Sequence, residues 1–154
     1  MKKMIALLLI CAMVLSLAAC GGKTEEPKNV DLKALYASLE GQLPQMLVLD
    51  GDLLTNFLGI NASDYPQVIA AICAEGLRVD EVWLVETSGE DSMAVAKTLA
   101  ENRLKARAEE TVSYNPEQYA IVEKAELFTM GNYLILLVSP DVENLKAQVE
   151  AAFN

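Results

Sequence analysis

A two-residue turn between two apolar runs limits how the C-terminal part of this chain can fold. Gly131 and Asn132 separate residues 126–130 from residues 133–139. Both turn residues favour the positive φ angles of a tight β-hairpin. Because parallel neighbours need a long crossover between them, this spacing predicts two adjacent antiparallel strands.

A second pair of strand-length runs lies earlier in the chain. Residues 67–74 and 80–87 are joined by a connection that contains Gly76, which fits another antiparallel pair. The run at 80–87 has apolar side chains on both faces, so we expect it to be a central strand. Residues 46–50, with the sequence MLVLD, are too few to assign.

Segments with helical periodicity separate these runs. Their apolar residues recur every three or four positions, and most begin at a capping residue or a proline. They are a first helix from Asp31 to Pro44, a short helix capped by Asp52, a long helix opened by Ser88 or Asp91, a helix at Asn115-Pro116, and a last helix after Ser139-Pro140. We therefore predict a single small α+β domain over residues 30–154, with an antiparallel sheet of about four strands in two hairpins, covered by helices.

The start of the chain has the pattern of an export signal. Lys2 and Lys3 precede residues 4–19, which contain no charged side chain. A permanent membrane span needs about 20 apolar residues, so this run is short for one, and cleavage is the favoured interpretation. We predict a signal peptide at residues 1–19.

The residues at the predicted cleavage point carry a more specific motif. Leu17, Ala18, Ala19 and Cys20 resemble the bacterial lipobox, a leucine and two small residues before an obligatory cysteine. The resemblance implies that a diacylglyceryl group is attached to the Cys20 thiol and anchors the protein in the cell membrane on its extracytoplasmic face. Residues 20–29 would then be the lipidated cysteine and a flexible tether; the alternative is a secreted protein cut at the same small-residue tract.

Composition excludes several classes of function. Removal of residues 1–19 leaves 135 residues and, since Lys2 and Lys3 leave with them, changes the net charge from −10 to −12. This acidity argues against binding to nucleic acid and against docking on anionic headgroups. The chain contains no histidine, so it lacks the usual general base and the commonest zinc ligand. Cys73 is expected to be a small buried hydrophobic residue.

Carboxylates are the remaining candidates for chemistry. Asp80, Glu81 and Glu86 lie on or near one predicted strand, and paired carboxylates serve glycoside hydrolases that use no histidine. A regular strand sends Glu81 and Glu86 to opposite faces, which weakens this pairing. The Asp50-Gly51-Asp52 turn suggests calcium, but it lacks the further oxygen ligands of an EF-hand, and helix capping is the favoured interpretation.

Arg103 and Arg107 form a basic pair on the predicted long helix. They lie one turn apart, with Glu110 nearby. An anion site is one interpretation of this pattern. A solvated face with pairs at i and i+4 is the favoured one.

The ordered motifs resemble a family of small, uncharacterised lipoproteins of Gram-positive bacteria that carry a domain of unknown function. The matching segments are the lipobox, DLLTNFLGI followed by DYPQV, EVWLVE, YNPEQY, and GNYLILLVS before a terminal helix. The resemblance implies a membrane anchor and this fold. It supplies no catalytic residue.

The leading functional hypothesis is a non-enzymatic, membrane-anchored domain that binds a protein partner or a small ligand at the cell envelope. The chain shows no glycine-rich phosphate loop, and we expect no cofactor, no metal and no catalytic residue. The alternatives are a carboxylate-dependent hydrolase of the cell envelope and a solute-capturing accessory subunit of a transporter. A cation buffer that exploits the acidic charge is a further possibility.

Overall fold

A computed structural model of the protein describes residues 29–154. The predicted signal peptide, with the predicted lipobox residues Leu17, Ala18 and Ala19, lies outside these residues. Cys20, the predicted site of lipid attachment, and most of the predicted tether also lie outside them. Within residues 29–154, no helix combines the length and the apolar composition needed to cross a membrane.

The described chain contains five α-helices and five β-strands, with two short 3₁₀ segments at Glu40–Gln42 and Ala62–Asp64. In chain order the elements are α1 (Leu32–Leu39), β1 (Met46–Leu49), α2 (Gly51–Leu58), β2 (Gln67–Cys73), β3 (Glu81–Glu86), α3 (Glu90–Thr111), α4 (Pro116–Val122), β4 (Glu126–Met130), β5 (Tyr133–Val138) and α5 (Val142–Phe153).

The strands form one sheet in the order β1-β2-β3-β5-β4. Every neighbouring pair is antiparallel, which confirms the predicted α+β class and both predicted hairpins. The sheet has five strands instead of about four, because the unassigned run MLVL pairs with β2 as β1. As predicted, β3 is the central strand of the sheet.

Helices cover both faces of the sheet and create two apolar cores. Leu54 and Leu58 of α2, with Ala96 and Ala100 of α3, pack on one face together with residues of α4. The other face is covered by α1 and α5. Because β3 contributes buried side chains to both cores, its apolar character on both faces is a direct consequence of its central position.

Local turn signals are confirmed with one refinement. The hairpin between β4 and β5 turns at Gly131-Asn132, but only Gly131 has a positive φ, of 58°. A positive φ at the first turn residue alone is the pattern of a type II′ turn. Asn115 caps α4 as predicted, since its side chain accepts a hydrogen bond from the backbone N–H of Gln118.

Two predicted caps are wrong. Asp50 holds the position before α2, whereas Asp52 lies inside the first turn. The helix α3 begins at Glu90 after Gly89, so neither Ser88 nor Asp91 occupies its cap position. The hydroxyl of Ser92, inside the first turn, accepts from the backbone N–H groups of Ser88 and Gly89. The serine thereby satisfies the N–H of Gly89, the residue at the cap position, in the way that the third helical residue of a capping box does.

Candidate functional site

All three arginines of the chain lie against two consecutive carboxylates at the start of the central strand. Arg78 pairs with Asp80, and Arg103 and Arg107 both pair with Glu81. Asp80 and Glu81 are almost completely buried. Buried carboxylates are rare in proteins unless they are paired, so these contacts account for their place in the core. We call these five residues, with Trp83, the arginine–carboxylate cluster.

Glu81 is held from three directions. Its Oε1 accepts from the indole Nε1 of Trp83 at 2.7 Å and from the Nε of Arg103 at 2.9 Å. Its Oε2 accepts from the Nε of Arg103 at 3.0 Å and from the Nε of Arg107 at 3.4 Å. Both carboxylate oxygens are therefore hydrogen bonded, which offsets the loss of hydration on burial.

Asp80 forms a separate, two-pronged ion pair. Arg78 donates from Nε to Oδ2 at 2.9 Å and from Nη2 to Oδ1 at 3.2 Å. The hydrogen bond to Asp80, followed by the negative charge of that carboxylate, raises the pKa of Arg78. The guanidinium therefore stays charged, and the pair fixes the loop that leads into β3.

The fold brings the cluster together from distant segments. Glu81 is the first residue of β3, and Arg103 and Arg107 lie 22 and 26 residues later on α3. The spacing of four residues places both arginines on one face of that helix. The sequence identified this pair but predicted a solvated face, and that interpretation is wrong: the side chains are only 15% and 19% exposed.

Glu86 does not join the cluster, as the alternation along the strand predicted. It lies at the other end of β3, where it accepts hydrogen bonds from Gln67 Nε2 at 2.7 Å and from Asn132 Nδ2 at 3.3 Å. Each of the three carboxylates considered for catalysis therefore has its own hydrogen-bond donors.

Comparison with known proteins places the domain in a family. A family model described as a domain of unknown function, DUF4358, matches residues 39–139, about two thirds of the 154 residues. The chain belongs to this family. Neither a curated protein nor a solved structure matches the chain significantly. The match includes β1 to β5 of the DUF4358 domain and therefore all residues of the arginine–carboxylate cluster.

Among residues 29–154, the other candidate residues form no second cluster. Cys73 is buried at the end of β2, as predicted. Within the described part of the chain, no three cysteine or carboxylate side chains converge as a metal ion would require. The turn at Asp50 and Asp52 therefore does not bring together three such side chains. A concave surface of about 260 Å³ lies next to Asn132, whose Oδ1 is buried without a hydrogen-bond partner.

One end of the DUF4358 domain exposes large apolar side chains. Leu77, in the loop between β2 and β3, is 85% exposed, and Tyr114, between α3 and α4, is 91% exposed. A hydrogen bond of 2.9 Å from the backbone N–H of Val79 to Gln118 Oε1 joins the first of these loops to α4, the helix that follows the second. We call Leu77 and Tyr114, the two exposed side chains at this end of the domain, the distal surface.

The chain enters the domain at the opposite end. The N–H of Val30 donates to the hydroxyl of Tyr133, and its carbonyl accepts from Gln67 Nε2. Gln67 is the first residue of β2, whereas Leu77 lies in the loop that follows the last residue of that strand, Cys73. Seven residues of β2 separate the ends by about 23 Å. The point where the chain enters the domain and the distal surface therefore lie at opposite ends of β2.

Proposed function

We propose that this DUF4358 protein is a lipoprotein of the cell membrane that binds a partner on the extracytoplasmic side and has no catalytic activity. The lipobox at Leu17-Ala18-Ala19-Cys20 carries the proposal. A diacylglyceryl thioether on Cys20 supplies two acyl chains, which is the number that stable anchoring requires. The net charge of −12 after cleavage means that the lipid, and not the protein surface, holds the molecule at an anionic membrane.

The arrangement of the domain supports a binding role. A chain anchored through Cys20 would enter the domain beside Val30, and the distal surface would then point away from the membrane. Exposed Leu77 and Tyr114 are the kind of side chains that bury against a partner, since aromatic and apolar anchors dominate the energy of protein interfaces. We propose a protein partner at this surface.

The carboxylates favour binding over hydrolysis. A general acid must exchange its proton with substrate, so its carboxyl group has to be accessible. Asp80 and Glu81 are buried and paired with arginine, and the need to compensate two buried charges is enough to explain these contacts. If the protein turned over a cell-wall glycan or peptide and Glu81→Gln or Glu86→Gln abolished that turnover, the hydrolase alternative would replace this proposal.

Anchoring is tested by metabolic labelling. Cells that express the full chain are grown with radioactive palmitate, and the Cys20→Ser variant serves as the comparison. We expect label and membrane retention for the wild-type chain, and loss of both for the variant. Equal membrane retention of both proteins would contradict the lipid anchor.

Binding at the distal surface is tested by photocrosslinking in intact cells. A photoreactive residue at position 77 reports on the distal surface, and one at Lys33, an exposed residue near the attachment end, is the matched control. We expect one defined adduct from position 77 and none from position 33. Identical adducts from both positions, or none from position 77, would contradict a partner at this surface.

A further inference from the structure

The outer edges of Arg103 and Arg107 retain hydrogen-bond donors that the described part of the domain does not use. Arg103 bonds to Glu81 through Nε alone, so both of its Nη nitrogens have no partner among these residues. Arg107 uses Nε for Glu81 and Nη1 for Glu110, which leaves Nη2. We propose that the two guanidinium groups form a binding site for a carboxylate on a ligand.

These donors are accessible to solvent. Within residues 29–154, the only fully buried side-chain nitrogen or oxygen without a partner is Asn132 Oδ1. The three remaining Nη nitrogens of Arg103 and Arg107 lack protein partners, so each must have some exposed surface. Since the side chains are only 15% and 19% exposed, only a small part of each arginine is in contact with solvent.

Glu81 acts as a positioning residue for this site. Its two oxygens hold the Nε atoms of both arginines, and Trp83 fixes Glu81 in turn. A long arginine side chain normally loses rotamer freedom when it binds a ligand. Here that freedom is already restricted in the folded protein, so a ligand meets a preorganised set of donors.

Glu110 indicates the chemical class of the ligand. Its carboxylate already accepts a hydrogen bond of 3.1 Å from Arg107 Nη1, although the side chain is 56% exposed. The outer edge of the site thus binds a carboxylate within the protein itself, and an external one would compete with it. A planar carboxylate matches the fork of guanidinium donors. The acidic chain also disfavours a doubly charged ligand such as phosphate.

The test is an NMR titration of the full chain in detergent micelles with sodium acetate, at constant ionic strength maintained with sodium chloride. The chain has one tryptophan and three arginines, so the indole N–H and the arginine Nε–H signals are few and assignable. We expect acetate to shift the Arg103 Nε–H and Trp83 indole signals saturably. A response that sodium chloride alone reproduces would overturn the proposal, and tighter binding of inorganic phosphate than of acetate would overturn the carboxylate class.

Two variants of adjacent surface residues make the test specific. Glu110→Gln removes the internal competitor, so we expect acetate to bind severalfold more tightly. Glu109→Gln removes the same charge from an exposed neighbour that pairs with Lys105, so we expect little change. Equal effects of the two substitutions would show a general charge effect and refute the site. Arg103→Lys, which keeps the charge but loses the fork, should weaken acetate binding about tenfold or more.

This site is independent of the proposed lipid anchor. Cys20→Ser should remove palmitate label and leave acetate binding unchanged, whereas Arg103→Lys should leave labelling unchanged. Failure of one proposal is therefore distinguishable from failure of the other.

Discussion

Glu81 is the residue whose replacement most directly tests the physical account of this fold. The substitution Glu81→Gln preserves the shape of the side chain and removes its charge. It leaves Arg103 and Arg107 as two adjacent cations that are mostly buried and no longer share a carboxylate. It also replaces a charge-assisted acceptor for the Trp83 indole with a neutral one.

The expected cost follows from the burial of the pair. Removal of one partner from a buried ion pair costs about 3–5 kcal/mol, because the remaining charge is left uncompensated. Both arginines reach solvent through their outer edges, which lowers the cost, so we expect about 3 kcal/mol. A domain of this size is stable by about 5–15 kcal/mol in total. The loss should lower Tm by about 10 °C.

The assay is equilibrium urea unfolding of the full chain in detergent, followed by tryptophan fluorescence. Trp83 is the only tryptophan and lies within the cluster, so its emission reports on this part of the core. Glu110→Gln is the matched control. It also removes a carboxylate charge that pairs with Arg107, but this pair is exposed and contributes at most about 1 kcal/mol. A loss for Glu81→Gln no larger than for Glu110→Gln would refute the structural role of the buried pair.

Three further predictions concern local structure. Burial raises the pKa of Tyr36, so as the pH rises above about 10 the tyrosine ionises first in the unfolded chain, and the free energy of unfolding should fall. In urea unfolding from about pH 8 to 11, the Tyr36→Phe variant should lose less stability than the wild-type chain. An equal loss would contradict this cause. Gly59 ends α2 with φ of 71°, so Gly59→Ala should cost about 1–2 kcal/mol of stability in urea unfolding. Gly76 lies in open space at a φ outside the left-handed region, so Gly76→Ala should cost less than half of that. Gln118→Leu should cost about 1–3 kcal/mol of stability because the buried N–H of Val79 loses its acceptor. Gln118→Glu keeps an acceptor and should retain most of the stability. An equal loss of stability for the two variants in thermal unfolding would contradict this role.

The elements with strong local signals were predictable from sequence. The hairpin at Gly131 and the cap at Asn115 depend on backbone geometry that a few neighbouring residues determine. Wrong assignments arose where several residues compete for the same role. At the start of α3, the cap position belongs to Gly89, and Ser92 inside the helix accepts from the backbone N–H groups of Ser88 and Gly89.

The fifth strand depended on tertiary pairing. MLVL is four residues long and has no decisive periodicity. It becomes a strand because the backbone of β2 offers an unpaired edge, with Met46 opposite Cys73 and Leu49 opposite Ala70. Short strands gain most of their stability from such pairing, and intrinsic preference contributes little.

The sequence alone determined the class of the domain, its hairpins, and the opposite orientations of Glu81 and Glu86, because alternation and turn chemistry act between near neighbours. It also contained the motif Leu17-Ala18-Ala19-Cys20, which resembles a lipobox and on which the proposed location depends. Only the tertiary structure placed Arg103 and Arg107 on Glu81, because a helix that crosses a sheet brings together residues more than 20 positions apart. The free energy of a buried charge depends on the partners around it, and the chain acquires those partners only when it folds.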